Sequence, residues 1–291
     1  MKKAFFVALC LLFVNVIALA QESGNRIYGS QQKRAPTTNL GNLLSNQEGN
    51  FSIEASVLVN VKPDSFVAVF GVAQEAQTAD ESNGKVNARV EDFLKNLASL
   101  QVSKNDIYVD FIVQNKIYDY QIKGDVAEQY LSGFETKKTV AIKYKNRDLL
   151  EKIVVAASKA QIFDLIKVDY IVSDFEPIRQ KLFDEAANVI RQKEARYRNA
   201  FAMTIKPVGL AAEKYDAFYP GERYENYQAF ESGTATATDF RNVRTTVNMR
   251  KGTTFYYSPL DENKFDKIVS PIGVEPEVQF TVYMQFQYRL I

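Results

Sequence analysis

Residues Phe66 to Leu97 read FVAVFGVAQEAQTADESNGKVNARVEDFLKNL, and the change of period inside this stretch decides the fold class. Phe66 to Ala73 is apolar at successive positions, the pattern of a central strand covered on two sides. Thr78-Ala79-Asp80-Glu81 then has the spacing of a capping box, in which hydroxyl and carboxylate each satisfy a backbone N–H that the first helical turn leaves without a partner. Beyond it Val86, Val90, Phe93, Leu94 and Leu97 recur three or four apart, with Lys85, Arg89, Glu91, Asp92 and Lys95 on the other side. That spacing predicts an amphipathic helix laid on the strand before it.

The pattern extends in both directions. Upstream, Ile53, Ala55, Val57, Val59 and Val61 alternate with Glu54, Ser56, Leu58 and Asn60, a strand with one buried face, and Pro63-Asp64 makes a turn. Downstream, strands are expected at Ile107 to Gln114, Lys116 to Ile122 and Phe134 to Tyr144, with Gly124 to Ser132 as a connection. Arg147 to Ala160 reads as a second helix with Leu149, Leu150, Ile153 and Ala157 inward, and Ile162 to Val172 as another strand. Ser173 to Pro177 has a second capping-box spacing, with the proline inside the helix start where its missing N–H costs nothing. The helix it opens is the longest in the chain and places Ile178, Leu182, Ala186, Val189, Ile190, Tyr197 and Phe201 on one side.

Residues 215 to 275 are an irregular, tyrosine-rich region broken by Pro220-Gly221, a small-residue loop from Ser232 to Asp239, Ser258-Pro259 and Ser270-Pro271. Order returns where Val278, Phe280, Val282, Met284, Phe286 and Tyr288 alternate with an outward row Gln279, Thr281, Tyr283, Gln285, Gln287 and Arg289. The strand-to-helix turns lack the glycines of a nucleotide-binding fold. The expected class is therefore α+β, with antiparallel or mixed sheets, three main helices packed on them, and a C-terminal strand closing a sheet.

Residues 1 to 20 carry the marks of a cleavable export signal. Met1-Lys2-Lys3 is a positive start, Phe5 to Ala20 is apolar except for Asn15, and Ala18-Leu19-Ala20 offers small residues where a signal peptidase reads. Cleavage leaves Gln21 first, and the apolar stretch is shorter than the ~20 residues that a helix needs to cross the hydrocarbon core. The expectation is a periplasmic location, with outer-membrane association, no membrane span after signal cleavage, a flexible polar leader over 21–50 and one α+β domain over 51–291. Removing Lys2 and Lys3 leaves 34 basic against 35 acidic residues, a formal charge of −1 that steers nothing toward nucleic acid. The only cysteine, Cys10, lies within the signal, so the mature chain carries neither a disulfide framework nor a lipid-attachment thiol.

Taken together, these residues resemble the SIMPL-domain family of bacterial envelope proteins. The likeness rests on Pro63-Asp64 with the strand Ser65 to Glu75, Thr78-Ala79, Leu97, Asp106-Ile107 and Tyr118-Asp119-Tyr120. It continues through Gly133-Phe134, Val140 to Tyr144, Asp148-Leu149, Ala186, Lys193-Glu194-Ala195 and a closing strand after Glu275-Pro276, over roughly residues 53 to 290. Two glycines that usually end the first and second helices are absent, with Gln101 and Gln161 nearby in their place. The resemblance implies an α+β fold, a periplasmic or outer-membrane-associated protein and a tendency to self-assemble, and it carries no active-site residues.

The chain contains no histidine, which removes every mechanism with His as base, and without a mature cysteine neither a thiolate zinc site nor a cysteine nucleophile exists. The carboxylate pairs Asp80/Glu81, Glu91/Asp92, Asp174/Glu176 and Asp184/Glu185 are local, sitting at helix starts or on charged helix faces. A glycosidase needs two that face each other across a cleft at ~5 to 9 Å. No catalytic, metal-ligating or cofactor-binding set is expected, so the chain is expected not to be an enzyme. The candidate contact residues are Tyr215, Tyr219, Tyr224, Tyr227, Tyr256 and Tyr257, which with Phe218, Phe230 and Phe255 are placed to stack on sugars or on a partner subunit. The plainer reading makes them cross-strand pairs and the lid of a small core. The leading expectation is a non-catalytic envelope protein that assembles with itself or with other envelope proteins, with protection of the envelope under stress as its setting. The alternative is a module binding a small molecule or glycan through residues 215–257, and a carboxylate-dependent hydrolase comes third.

Overall fold

The computed structural model describes residues 49–228, 236–238, 244–246 and 253–291. The export signal, the leader before Gly49, Phe230 and most of the Ser232 to Asp239 loop lie outside the described residues. The first strand, β1 (Asn50–Val61), is followed by a continuous unit: β2 (Ser65–Ala76), α1 (Ala79–Ser99), β3 (Ile107–Lys123), β4 (Val126–Tyr144), α2 (Leu149–Lys159) and β5 (Asp164–Ile171). These four strands form an antiparallel sheet of order β3-β4-β2-β5, the β-α-β-β-α-β arrangement of a ferredoxin-like fold. Both helices bury their stripes on one face of it. Val86, Val90, Phe93 and Leu97 of α1 and Ile153, Ala156 and Ala157 of α2 meet Phe66, Ala68, Phe70, Val72, Val140 and Ile142.

The remaining elements are α3 (Glu176–Phe201), β6 (Ile205–Phe218), β7 (Tyr224–Gln228), β8 (Thr236–Thr238), β9 (Arg244–Thr246), β10 (Thr253–Tyr257), β11 (Lys267–Ile268) and β12 (Val278–Leu290). A second sheet runs β11-β1-β12-β6, while β7 pairs with β10 and β8 with β9 as separate ribbons. On one face of this sheet Leu182, Ala186, Val189 and Ile190 of α3 pack against Ile53, Ala55, Val57, Val59 and the apolar row of β12. The other face carries a small cluster of Leu58, Phe218 and Leu260, with Phe265 and Ile268 against it.

The α+β class and the three helices stand as expected, and several local readings are corrected. Covering on the second face buries Leu58 and Asn60 of β1 and the supposedly outward Gln279 and Thr281 of β12. Gln279 donates its amide to Asn60 Oδ1 (2.8 Å) and accepts from the Leu260 N–H (2.6 Å), so its polar groups are matched where no water reaches. β12 completes the second sheet as expected, and it does so as an inner strand between β1 and β6. β2 is covered by helices on one face only, and its Val67, Val69 and Gly71 are half-buried on the other. Phe201, expected inward, is 68% exposed in the last turn of α3. The 215–275 region holds the end of β6, the strands β7 and β10 and short 3₁₀ turns.

The Thr78 cap forms, its hydroxyl accepting from the Glu81 N–H at 3.2 Å, whereas Glu81 turns to Lys85 at 2.7 Å. Ser173 caps nothing. Its N–H and hydroxyl go to Asp64, at 2.5 and 2.9 Å, and the Asp64 N–H goes to Ile171 O at 2.9 Å. Asp64 also accepts from the Ser65 hydroxyl, and these bonds, the Ser173 N–H first, hold its carboxyl below the usual carboxylate range. The two chain crossings between the halves, 62–64 and 172–175, are thereby clasped side by side.

Gln101 and Gln161 are left-handed, at φ 61° and 59°. Each sits just past a helix whose end closes in the same way: Gln101 N–H to Ala98 O with Val102 N–H to Leu97 O, and Gln161 N–H to Ser158 O with Ile162 N–H to Ala157 O. This is the Schellman arrangement that glycine normally serves, because a Cβ crowds the backbone there. Gln101→Gly and Gln161→Gly should each raise stability by about 0.5 to 1 kcal/mol, the relief of left-handed strain less the entropy of a freer unfolded chain. A urea midpoint that falls for both variants would overturn this account.

Candidate functional site

The most unusual surface of the molecule is built by β3 and β4. The sequence pattern predicts two strands, Ile107 to Gln114 and Lys116 to Ile122, with Gly124 to Ser132 as a connection. Instead β3 runs unbroken for 17 residues, and β4 begins at Val126. Only Gly124-Asp125 separates them, with Gly124 at φ 64°, the backbone that a two-residue type II′ hairpin turn requires at its first position. β4 pairs with β2 only from Phe134 onward, so residues 116–133 project as a two-stranded arm about 25 Å long without a third strand.

The arm departs at a defined place. Gly133 passes the Ala76 carbonyl so closely that a Cβ would lie 2.7 Å from its oxygen, and the extra residue of a bulge, Ser132, bends the ribbon there while its hydroxyl bonds Ile117 O at 3.2 Å. Gln114 donates to Ala79 O at 3.0 Å and ties the root to the start of α1.

Cross-strand pairing sorts the arm into two faces. Tyr118, Tyr120 and Ile122 stand opposite Leu131, Gln129 and Ala127, whereas Asp119, Gln121 and Lys123 stand opposite Tyr130, Glu128 and Val126. The first face is mainly apolar and lies in water: Ile122 is 79% exposed, Tyr120 64%, and Tyr118 and Leu131 about half. The second holds the Lys123–Glu128 ion pair at 2.7 Å. Isolated two-stranded ribbons are marginal in water, so an apolar face on one marks an interaction surface.

The edges of the sheets show the same contrast. β6 carries Lys206, Pro207 and Lys214, β11 has two residues, and β5 has a register break and the Pro220–Glu222 turn beside it. Each is a device that prevents strand addition. β3 is the longest of these edges and contains neither proline nor glycine; Ile112 bulges it and Lys116 and Lys123 lie along it, yet the stretch from Val113 to Lys123 is regular and its outer edge pairs with nothing among the described residues.

The tyrosines named from sequence do not converge. Tyr215 lies on β6 at the seam with α3, where the Arg179 guanidinium sits 5.1 Å from its ring centre, and burial followed by a hydrogen bond to Glu213 raises its pKa. Tyr224 and Tyr257 are a cross-strand pair with ring centres 5.9 Å apart, and burial pushes the Tyr257 hydroxyl up to about 12 while it donates to Glu277 O. Tyr256 donates to Glu225 at 2.8 Å, which raises its pKa. Tyr219 and Tyr227 are exposed. Of the paired carboxylates, Glu81, Asp92 and Glu185 face cations, Lys85 at 2.7 Å, Lys95 at 3.1 Å and Lys267 at 2.6 Å, and Asp184 accepts from the Gln180 amide at 3.1 Å. Among the described residues no group of three or more His, Cys, Asp or Glu could hold a metal, and no helix is long and apolar enough to cross a membrane. An open cleft of about 320 Å³ between α1 and α2 is bordered by Asn96, Leu100, Glu151, Lys152 and Val155, none of which, among the described residues, has a buried polar side-chain atom left without a hydrogen-bond partner.

Comparison of the sequence with known proteins gives a relative and a family. The chain is 26% identical over 180 residues to the "Uncharacterized protein YggE" of Edwardsiella ictaluri (strain 93-146), a match spanning 62% of this chain and 74% of that protein. The profile of the SIMPL family, described as a protein of unknown function (DUF541), matches residues 51–255, which takes in the whole β-α-β-β-α-β unit and the arm. The chain belongs to the SIMPL family.

Proposed function

We propose that this protein is a non-catalytic component of the cell envelope that works by assembling with itself or with other envelope proteins through the β3–β4 arm. One observation carries the reading: the arm presents an apolar face and open strand edges, whereas the other edge strands of the two four-stranded sheets are shorter and interrupted. Export to the periplasm with cleavage before Gln21 completes the proposal, with outer-membrane association through protein contacts and envelope stress as the setting. Mass spectrometry of the native protein checks the export step, and a mass that includes residues 1–20 overturns it.

Replacing Tyr118 to Leu131 by a Gly-Asp turn removes the apolar face and leaves every contact of β4 with β2 in place. Crosslinking in intact cells should give higher-mass adducts of the full-length chain that the shortened chain lacks. Identical adducts from both would overturn the arm as the contact surface.

A further inference from the structure

We infer that the open edge of β3 takes a second copy of the same chain, in antiparallel register centred on Ile117, so that two four-stranded sheets become one continuous sheet. This rests on the arm being an assembly surface and names its occupant. An antiparallel pair related by a two-fold axis must have that axis perpendicular to the sheet, since only this reverses strand direction while keeping each face on its own side. Every residue then meets one from the same face. β3 is not regular, because Ile112 is an extra residue between Phe111, opposite Lys138, and Val113, opposite Lys137. As a result Asp110, Asp119 and Lys123 share a face, and Lys116 points to the other.

Charge selects among the symmetric registers that engage most of β3. Centring on Asn115 sets Asp110 against Asp119, and centring on Lys116 or Asp119 sets each against itself, all of them like charges directly opposite. Centring on Ile117, with Ile112 left out of the ladder, places Asp110 opposite Lys123 of the second copy, twice by symmetry. The same register covers Phe111 with Ile122, two exposed apolar residues, and stacks Lys116 on Tyr118. No other long register pairs opposite charges. The joined sheet has the order β5-β2-β4-β3-β3-β4-β2-β5, with α1 and α2 of both copies on one side.

The chain's single cysteine makes the register directly testable. In the Cys10→Ser protein, purified and mildly oxidised, Ile117→Cys should form a disulfide-linked dimer, because residues facing each other at the centre of the pair have Cα atoms ~4.5 to 5.5 Å apart. Gln121→Cys, which faces Val113 of the second copy, should not. Asp110→Lys should weaken the dimer about tenfold or more in sedimentation, by setting like charges opposite at two places, and adding Lys123→Asp should restore it. A dimer that crosslinks better at 121 than at 117, or that ignores the charge reversal, overturns the register. A purified chain that stays monomeric at high micromolar concentration overturns self-pairing. The in-cell adducts of the arm test remain a separate readout, so loss of self-pairing with adducts retained would leave the arm docking other envelope proteins.

Discussion

A chain ending at Glu277 should lose cooperative unfolding and accumulate as aggregate. β12 lies between β1 and β6 and pairs with both along nearly its full length, from Asn50 opposite Arg289 to Val61 opposite Val278 and, with two register shifts, from Gln279 opposite Phe218 to Leu290 opposite Ile205. Without it, β1 keeps only the two-residue β11 and β6 keeps no strand at all. The core under α3 also loses Val278, Phe280, Val282, Met284 and Tyr288, all buried. At about 1.5 to 3 kcal/mol for each large side chain removed from water, the loss is on the order of 10 kcal/mol, which matches the whole stability of a typical domain. Two freshly opened edges then invite strand addition between molecules. Urea titration followed by circular dichroism checks this, and a truncated chain that stays soluble and unfolds at the parental midpoint would overturn it.

The next largest effects belong to Leu97→Ala and Leu182→Ala, each expected to cost about 2 to 5 kcal/mol. Both leucines are fully buried, but in different cores: Leu97 closes the C-terminal end of α1 over the first sheet, and Leu182 sits beneath α3 against β1 and β12. The surrounding side chains come from several elements and are held by strand pairing, so neither hole can collapse completely. Because the two sites share no core, the double variant should lose nearly the sum. Shifts below about 1 kcal/mol in chemical denaturation would mean that the helix faces are wrongly assigned.

Much of this architecture could be read in the sequence, and the exceptions have physical causes. The α1 stripe, the Thr78 cap and the inward rows of β1 and β12 follow from local period, and all are present. Period alone cannot reveal a second covering layer, so Gln279 and Asn60 looked outward when Leu260, far along the chain, seals them in. Ser173 looked like a helix cap because an acceptor as distant as Asp64 leaves no local trace. The tip of the arm read as a loop because Asp125, Glu128 and Ser132 interrupt the apolar alternation. The signal that could have exposed it was Gly124-Asp125 between two strand-like stretches. The tyrosines drew attention through composition, yet composition cannot tell that Tyr224 and Tyr257 spend their rings on each other.

The Asp64–Ser173 clasp also bears on the order in which the molecule is made. Everything that the first sheet needs lies between residues 64 and 173, whereas the second sheet must join β1 to β12, with Asn50 opposite Arg289 across almost the entire chain. The ferredoxin-like half is in effect an insertion within the other. It can complete its core on its own, and once formed it brings residues 62 and 175 together as the fixed root of a loop. β1 and α3 then meet without the cost of closing a chain of more than a hundred residues, a cost that grows only slowly with length but must be met before any non-local contact is gained. β12 leaves the ribosome after β1, α3 and β6 and becomes the inner strand that locks the assembly, so a nascent chain remains without a finished second core until β12 has emerged.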